Sequence, residues 1–134
     1  DEFGDQITFG FRNLPLDMHE HAVAAAIAAE AAGRQGAFIE MHDELFATQQ
    51  QWSSMNAADA AAFFRDLAEK AGVNLDRYDA DITDPSIAAL VQADKDAATE
   101  LGVQSTPTFY VNGTPLQLEK YTDVRDAVEK ALAE

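Results

Sequence analysis

The 134-residue sequence predicts a single domain of the α/β class, in its α+β form, with strands on both sides of a helical block. Ile7 to Asn13, ITFGFRN, alternates apolar and polar residues with the period of a strand. Residues 17 to 101 hold four amphipathic segments at helical spacing. Asn112-Gly113 lies between two short apolar runs, as in a β-hairpin. The predicted order is therefore strand, helices, hairpin and helix.

The first strand places Ile7, Phe9 and Phe11 on one face, so we expect these side chains in the core. The sequence LPL then ends the strand. Asp17 and Glu20 have the spacing of a capping box, in which each side chain accepts the other residue's backbone N–H. An alanine-rich helix is expected to follow.

The next helices are predicted from apolar stripes and end signals. Residues 36–51 form the second helix, and the third begins at the cap Asn56 with Asp59 and ends at Gly72. A short helical turn is expected over residues 76–81, and Asp84-Pro85 then begins the fourth long helix. The side chains expected to pack inside this block include Phe38, Met41, Leu45, Phe46, Trp52, Phe63 and Phe64.

The hairpin is predicted from residues 108–111 and 116–118, on either side of Asn112-Gly113. Thr122 is a suitable cap for a final helix. The apolar stripe that this helix should bury consists of Val124, Val128, Ala131 and Leu132.

Composition excludes several classes of function. With 24 acidic and 9 basic residues, the net charge of −15 repels phosphate backbones and anionic lipids, so nucleic acid is not expected as a partner. The N-terminal DEFGDQ lacks the features of a signal peptide, and no apolar run approaches the roughly 20 residues that span a bilayer. The absence of cysteine excludes disulfides and cysteine nucleophiles within these residues.

Several motifs occur together in one order: FRNLPL after the first strand, EMHDELF in the helical block, LDRYDADITDP, and GVQSTPTFYVNGTPL before the final helix. This series resembles the DsbA-like branch of the thioredoxin-fold thiol–disulfide oxidoreductases, over nearly the whole chain. The resemblance implies one thioredoxin-like domain spanning 1–134. Its core elements would be 1–17 and 102–134, and its DsbA-type helical insertion would be 18–101.

The resemblance also implies that an N-terminal strand, Cys-x-x-Cys turn and helix are missing from these residues. In that family the helix N-terminus lowers the pKa of the first cysteine, and the second cysteine resolves the mixed disulfide. No residue here replaces that pair, so we expect no catalytic residue and no cofactor. As it stands, the chain should be inactive in thiol exchange.

Ser105, Thr106 and Pro107 are the substrate-binding residues that the resemblance implies. A cis Thr106–Pro107 bond would begin the hairpin, and the Thr106 backbone would hold an extended peptide by strand-like hydrogen bonds. The plain alternative is an ordinary turn with a trans bond.

A metal site is not expected, although three histidines and nearby acids could suggest one. His19 and His21 are two residues apart, and on a helix they would point roughly 200° apart. Together with His42, they are interpreted as cap and surface histidines.

The resemblance implies a parent thiol–disulfide oxidoreductase of the bacterial cell envelope, outside the cytoplasm, acting on protein thiols with a redox partner protein. The alternative is a non-catalytic peptide-binding or accessory domain of a larger membrane protein. A third interpretation is a plain helical interaction module.

In the thioredoxin core, the missing strand would lie between residues 7–13 and the hairpin. Unpaired backbone groups beside such a gap cost roughly 1–3 kcal/mol each when buried, so we expect the gap to be filled. Upstream residues, a strand exchanged with a second copy in a homodimer, or inward movement of residues 7–13 could fill it.

Overall fold

The computed structural model describes residues 2–134 and contains both helices and a small antiparallel sheet, as the α+β prediction required. The chain forms two compact units: Asn13–Ala97, called the helical unit here, and Ala98–Glu134 with the residues up to Arg12, called the hairpin unit. No helix within residues 2–134 has both the length and the apolarity needed to cross a bilayer. The elements are a 3-10 turn (Gly4–Gln6), α1 (Ala22–Gly33), α2 (Phe38–Ala47), α3 (Gln49–Trp52), α4 (Ala57–Lys70), α5 (Leu75–Asp81), α6 (Pro85–Glu100), β1 (Tyr110–Val111), β2 (Thr114–Pro115) and α7 (Asp123–Ala133).

Small side chains on α1 allow close helix packing in the helical unit. Ala31 and Ala32 are completely buried, and α1 packs against α2, α4 and α5. At the end of α1, a Cβ on Gly33 would lie 3.3 Å from the Cβ of Phe38, so the turn into α2 favours glycine. The larger buried side chains of this core are Met41, Leu45, Trp52, Phe64, Leu67, Tyr78, Ile87 and Val91.

Trp52 packs in the helical block, as predicted. Its indole N–H donates to the Leu45 carbonyl at 2.9 Å, and its ring meets Phe64 edge-on with centroids 5.2 Å apart. The predicted single helix over residues 36–51 is wrong, because α2 ends at Ala47 and α3 begins at Gln49. At the break, the Thr48 hydroxyl donates to the Glu44 carbonyl at 2.7 Å, a back-bond that often bends helices.

The capping signals of α4 and α6 are confirmed. Asn56 accepts the Asp59 backbone N–H at 3.0 Å, and Asp84 accepts the Ser86 backbone N–H at 2.8 Å. Gly72 follows α4 in the left-handed conformation, with φ of 82°.

An ion-pair cluster joins the end of α1 to the connection between α5 and α6. The Arg34 guanidinium lies 2.8 Å from an Asp81 oxygen and 2.7 Å from an Asp84 oxygen, and it also donates to the Ser86 hydroxyl. The Arg34 hydrogen bond, aided by those from Ser86, lowers the pKa of Asp84 to about 2. The cluster therefore holds the α5–α6 connection against α1.

A buried polar network anchors the segment that enters the helical unit. The Asn13 backbone N–H donates to Asp94 at 2.9 Å, and its side-chain amide donates to Glu30 at 2.6 Å. Asn13 and Asp94 are both buried. Residues separated by 81 positions are thus joined, which no local sequence pattern indicated.

Two predictions for the N-terminal region are wrong. Residues 7–13 form no strand, because the only strand partners in the described chain are β1 and β2. Phe9 is 70% exposed and Phe11 is 38% exposed, so neither is a core residue. Asp17 does not cap a helix: it pairs with Lys95, residues 17–21 form turns and α1 begins at Ala22.

The hairpin unit contains the predicted hairpin with a corrected second strand. Tyr110 pairs with Pro115 and Val111 with Thr114, so β2 begins directly after Gly113 rather than at residue 116. In a hairpin with a two-residue loop, the second strand begins at the residue directly after the loop.

The final helix forms, but its apolar stripe is not buried as predicted. Leu132 is 42% exposed, and the other stripe residues are partly exposed. Thr122 makes no capping bond; instead, the Asp123 carboxylate accepts the backbone N–H groups of Lys120 and Glu119. None of the hairpin-unit residues that the structure describes is fully buried.

Candidate functional site

The segment Ser105–Thr106–Pro107 forms an exposed bend before the hairpin. The Thr106–Pro107 bond is cis, which confirms the predicted geometry of this turn. The Thr108 hydroxyl donates to the Ser105 carbonyl at 2.7 Å and closes the bend. All three residues are exposed to solvent. The bend is therefore open to solvent.

Regular structure fixes both ends of this bend. On the N-terminal side, Gly102 N–H donates to the Thr99 carbonyl at 3.0 Å and Val103 N–H to the Ala98 carbonyl at 2.9 Å. These two bonds, with Gly102 at φ of 72°, form a Schellman end to α6. On the C-terminal side, Leu116 N–H donates to the Phe109 carbonyl at 2.9 Å and extends the hairpin beyond β1 and β2.

The register leaves one edge of the hairpin suited to an added strand. In an antiparallel pair, inward-bonded residues alternate with residues whose backbone groups point outward. Phe109 bonds inward to Leu116, so its neighbour Tyr110 directs its N–H and C=O away from β2. An added strand could use these groups.

The side chains of this bend offer hydrogen bonding from two hydroxyls and apolar contact from one proline ring. Ser105, Thr106 and Pro107 have no ionisable side chain, and the sequence has no cysteine to supply a thiolate. In the helical unit, burial raises the pKa of the Tyr78 hydroxyl to about 12. It is only 1% exposed, so it acts as a neutral core side chain.

The three histidines have separate environments. His21 is buried, with Nε2 2.7 Å from the Met55 carbonyl oxygen. His42 lies 2.9 Å from an Asp43 oxygen and packs between the rings of Phe38 and Phe46. Across residues 2–134, no three potential ligands come together in a way that could hold a metal ion.

The family profile described as Thioredoxin matches residues 2–130. The chain belongs to this family. Membership establishes a thioredoxin-like domain. No solved structure gives a significant match.

Curated relatives of this thioredoxin-family chain carry the name Na(+)/H(+) antiporter NhaA. A protein from Salinispora arenicola is 44% identical over 80% of this chain, and one from Salinispora tropica is 43% identical over the same share. A relative from Herminiimonas arsenicoxydans is 33% identical over 86% of the chain. The chain spans only 16% of the length of the Salinispora proteins and 17% of the third.

Proposed function

We propose that this chain is the peptide-binding and helical part of a thioredoxin-family domain whose parent exchanges thiols and disulfides in other proteins. The observation that carries the proposal is the exposed bend Ser105–Thr106–Pro107, held between the end of α6 and the hairpin. An extended segment of a protein substrate would bind there through its backbone. The redox pair would come from residues outside this chain, because no thiolate exists within it.

The second candidate is a non-catalytic accessory domain of a larger membrane protein. The relatives favour it, because they are named as antiporters and are about six times as long as the matched region. In this proposal, the bend binds a peptide segment without exchanging electrons. Both candidates place the domain in the cell envelope, outside the cytoplasm.

Upstream sequence and thiol assays separate the two candidates. We would compare the present chain with a version extended to include any upstream Cys-x-x-Cys, using insulin reduction and oxidation of a reduced model protein. The enzyme proposal expects activity only in the extended protein, and loss of that activity when both cysteines become serine. An upstream region without the pair would favour the accessory domain, and activity in the cysteine-free chain would contradict both.

Peptide binding has its own test. A mixed disulfide between the extended protein and a cysteine peptide would show an amide shift at Thr106 by NMR. Replacing Thr106 with proline removes one backbone donor and should weaken capture of the peptide, whereas Thr106→Ser should preserve it. Equal capture by both variants would remove Thr106 from the proposed site.

A further inference from the structure

The tip of the hairpin has a chemical property that peptide binding does not use. Asn112 and Gly113 form the complete two-residue loop between β1 and β2, and both residues are exposed. Both have left-handed backbone angles, with φ of 48° for Asn112 and 80° for Gly113. Asparagine is the heat-labile member of such a turn.

We propose that Asn112 is a site of spontaneous, intramolecular deamidation. The backbone nitrogen of Gly113 attacks the side-chain Cγ of Asn112, a new C–N bond forms, and the bond from Cγ to the amide nitrogen breaks. That nitrogen takes up a proton and leaves as ammonia, while a five-membered succinimide remains. Water then opens the ring at either carbonyl and gives aspartate or isoaspartate, so water is the only co-reactant.

The surroundings of Gly113 favour the attack. Apart from its two chain neighbours, a Cβ placed on Gly113 would meet no atom within 4 Å, so no other part of the chain covers this residue. Strand pairing ends at Val111 and Thr114, which leaves the Gly113 amide in the loop and outside the ladder.

The other three asparagines are held in place and precede larger residues. Asn13 donates to Glu30 and Asp94, Asn56 bonds with Asp59, and Asn74 accepts the Arg77 backbone N–H. The residues that follow them are Leu14, Ala57 and Leu75, whose side chains hinder ring closure. These three sites serve as controls within the same molecule.

Deamidation changes the hairpin in two ways. The aspartate product adds one negative charge and keeps the turn, because aspartate tolerates the left-handed conformation. The isoaspartate product inserts a methylene into the backbone, so the two-residue loop can no longer join Val111 to Thr114 in the present register. The modified hairpin is the same one that carries the proposed peptide-binding bend.

The experiment is incubation of the folded chain at 37 °C, followed by peptide mapping and enzymatic methylation of isoaspartate. We expect conversion at Asn112 to exceed that at Asn74 by at least about an order of magnitude, because Gly113 has no side chain to hinder ring closure whereas Leu75 follows Asn74. We also expect the rate to rise with pH, since the deprotonated Gly113 nitrogen is the attacking group. Asn112→Gly should abolish the new acidic species and keep the turn.

Equal conversion at Asn112 and Asn74 in the folded protein would overturn the proposal. So would conversion of Asn112 only in urea, because the folded hairpin would then protect it. An unchanged rate of acidic-species formation in Asn112→Gly would place the modification elsewhere.

Discussion

Single polar residues hold the helical unit at points that hydrophobic patterning does not mark. Asn13 and Asp94 are joined inside the unit, and Arg34 joins Asp81 and Asp84 at its surface. A buried polar group is costly without its partner, whereas an exposed ion pair contributes little. Substitutions at the two places should therefore behave differently.

Replacing Asn13 with alanine should lower the free energy of unfolding by about 1–3 kcal/mol, because the Asp94 carboxylate loses a side-chain donor in a buried position. Urea unfolding, followed by the fluorescence of Trp52, measures the change. The matched control is Gln92→Ala on the exposed side of α6, where we expect at most about 0.5 kcal/mol. Equal effects of the two substitutions would show that the network adds no stability.

Asp84 should make the free energy of unfolding of the helical unit depend on pH in the acidic range. Its folded pKa of about 2 lies below its ordinary value of 3.8, mainly because Arg34 donates to it. This contribution is present above pH 3.8 and is lost as the pH falls toward 2, since the unfolded state takes up the proton first. The stability difference between the wild type and Asp84→Asn should shrink over this range in acid titrations. A constant difference would contradict the assignment.

At the scale of elements, local signals were readable from sequence and long-range pairing was not. Asn56 and Gly72 fix the ends of α4 through bonds within a few residues, so their patterns predicted those ends. Residues 7–13 have the alternation of a strand, but a strand needs a partner that sequence alternation cannot supply. The cis bend was expected only through the resemblance of GVQSTPTFYVNG to a family segment.

The cap of α4 can be tested directly. Asn56→Ala removes the acceptor for the Asp59 N–H and should cost about 0.5–2 kcal/mol of unfolding free energy. Asn56→Asp keeps a side-chain oxygen at that position and should recover most of the loss. Thermal unfolding monitored by far-UV circular dichroism compares the variants, and equal stability of alanine and aspartate would remove the cap from the explanation.

At the scale of the whole molecule, the two units differ in how much they bury. The helical unit contains a continuous core, whereas no described residue of the hairpin unit is fully buried. The sequence pattern predicted apolar faces in both units, but it could not show which of these faces would be buried. Phe9, Leu101 and Leu132 are examples that remain exposed.

Hydrogen exchange should therefore divide the chain at the unit boundaries. We expect slow exchange in α1 and α4 and fast exchange in β1, β2 and α7, because local opening is easiest where little apolar surface is buried. Mass spectrometry of peptic fragments measures both. Equal protection of β1 and α4 would contradict this expectation.

The proposed missing strand predicts a further change in the hairpin unit. Inward movement of residues 7–13 does not occur in this structure, so an upstream segment or a second copy remains proposed as the added strand. Extension of the chain upstream should slow exchange in β1 while light scattering reports a monomer. If a strand is instead swapped between two copies, hydrogen exchange in β1 should slow only in the dimer. Unchanged hydrogen exchange of β1 in both the extended monomer and the dimer would rule out an added strand.

Pro115 limits the addition of further strands to the β1 side of the sheet. It pairs with Tyr110 at a position where the backbone N–H would point away from β1, and proline has no N–H to offer there. A new strand can therefore join beside Tyr110, whereas the outer side of β2 lacks a donor. Two copies that met through their β1 edges would form a closed pair with a proline on each outer strand. Such a pair would offer a third copy only outer strands that lack a donor at Pro115, which disfavours growth into a fibre.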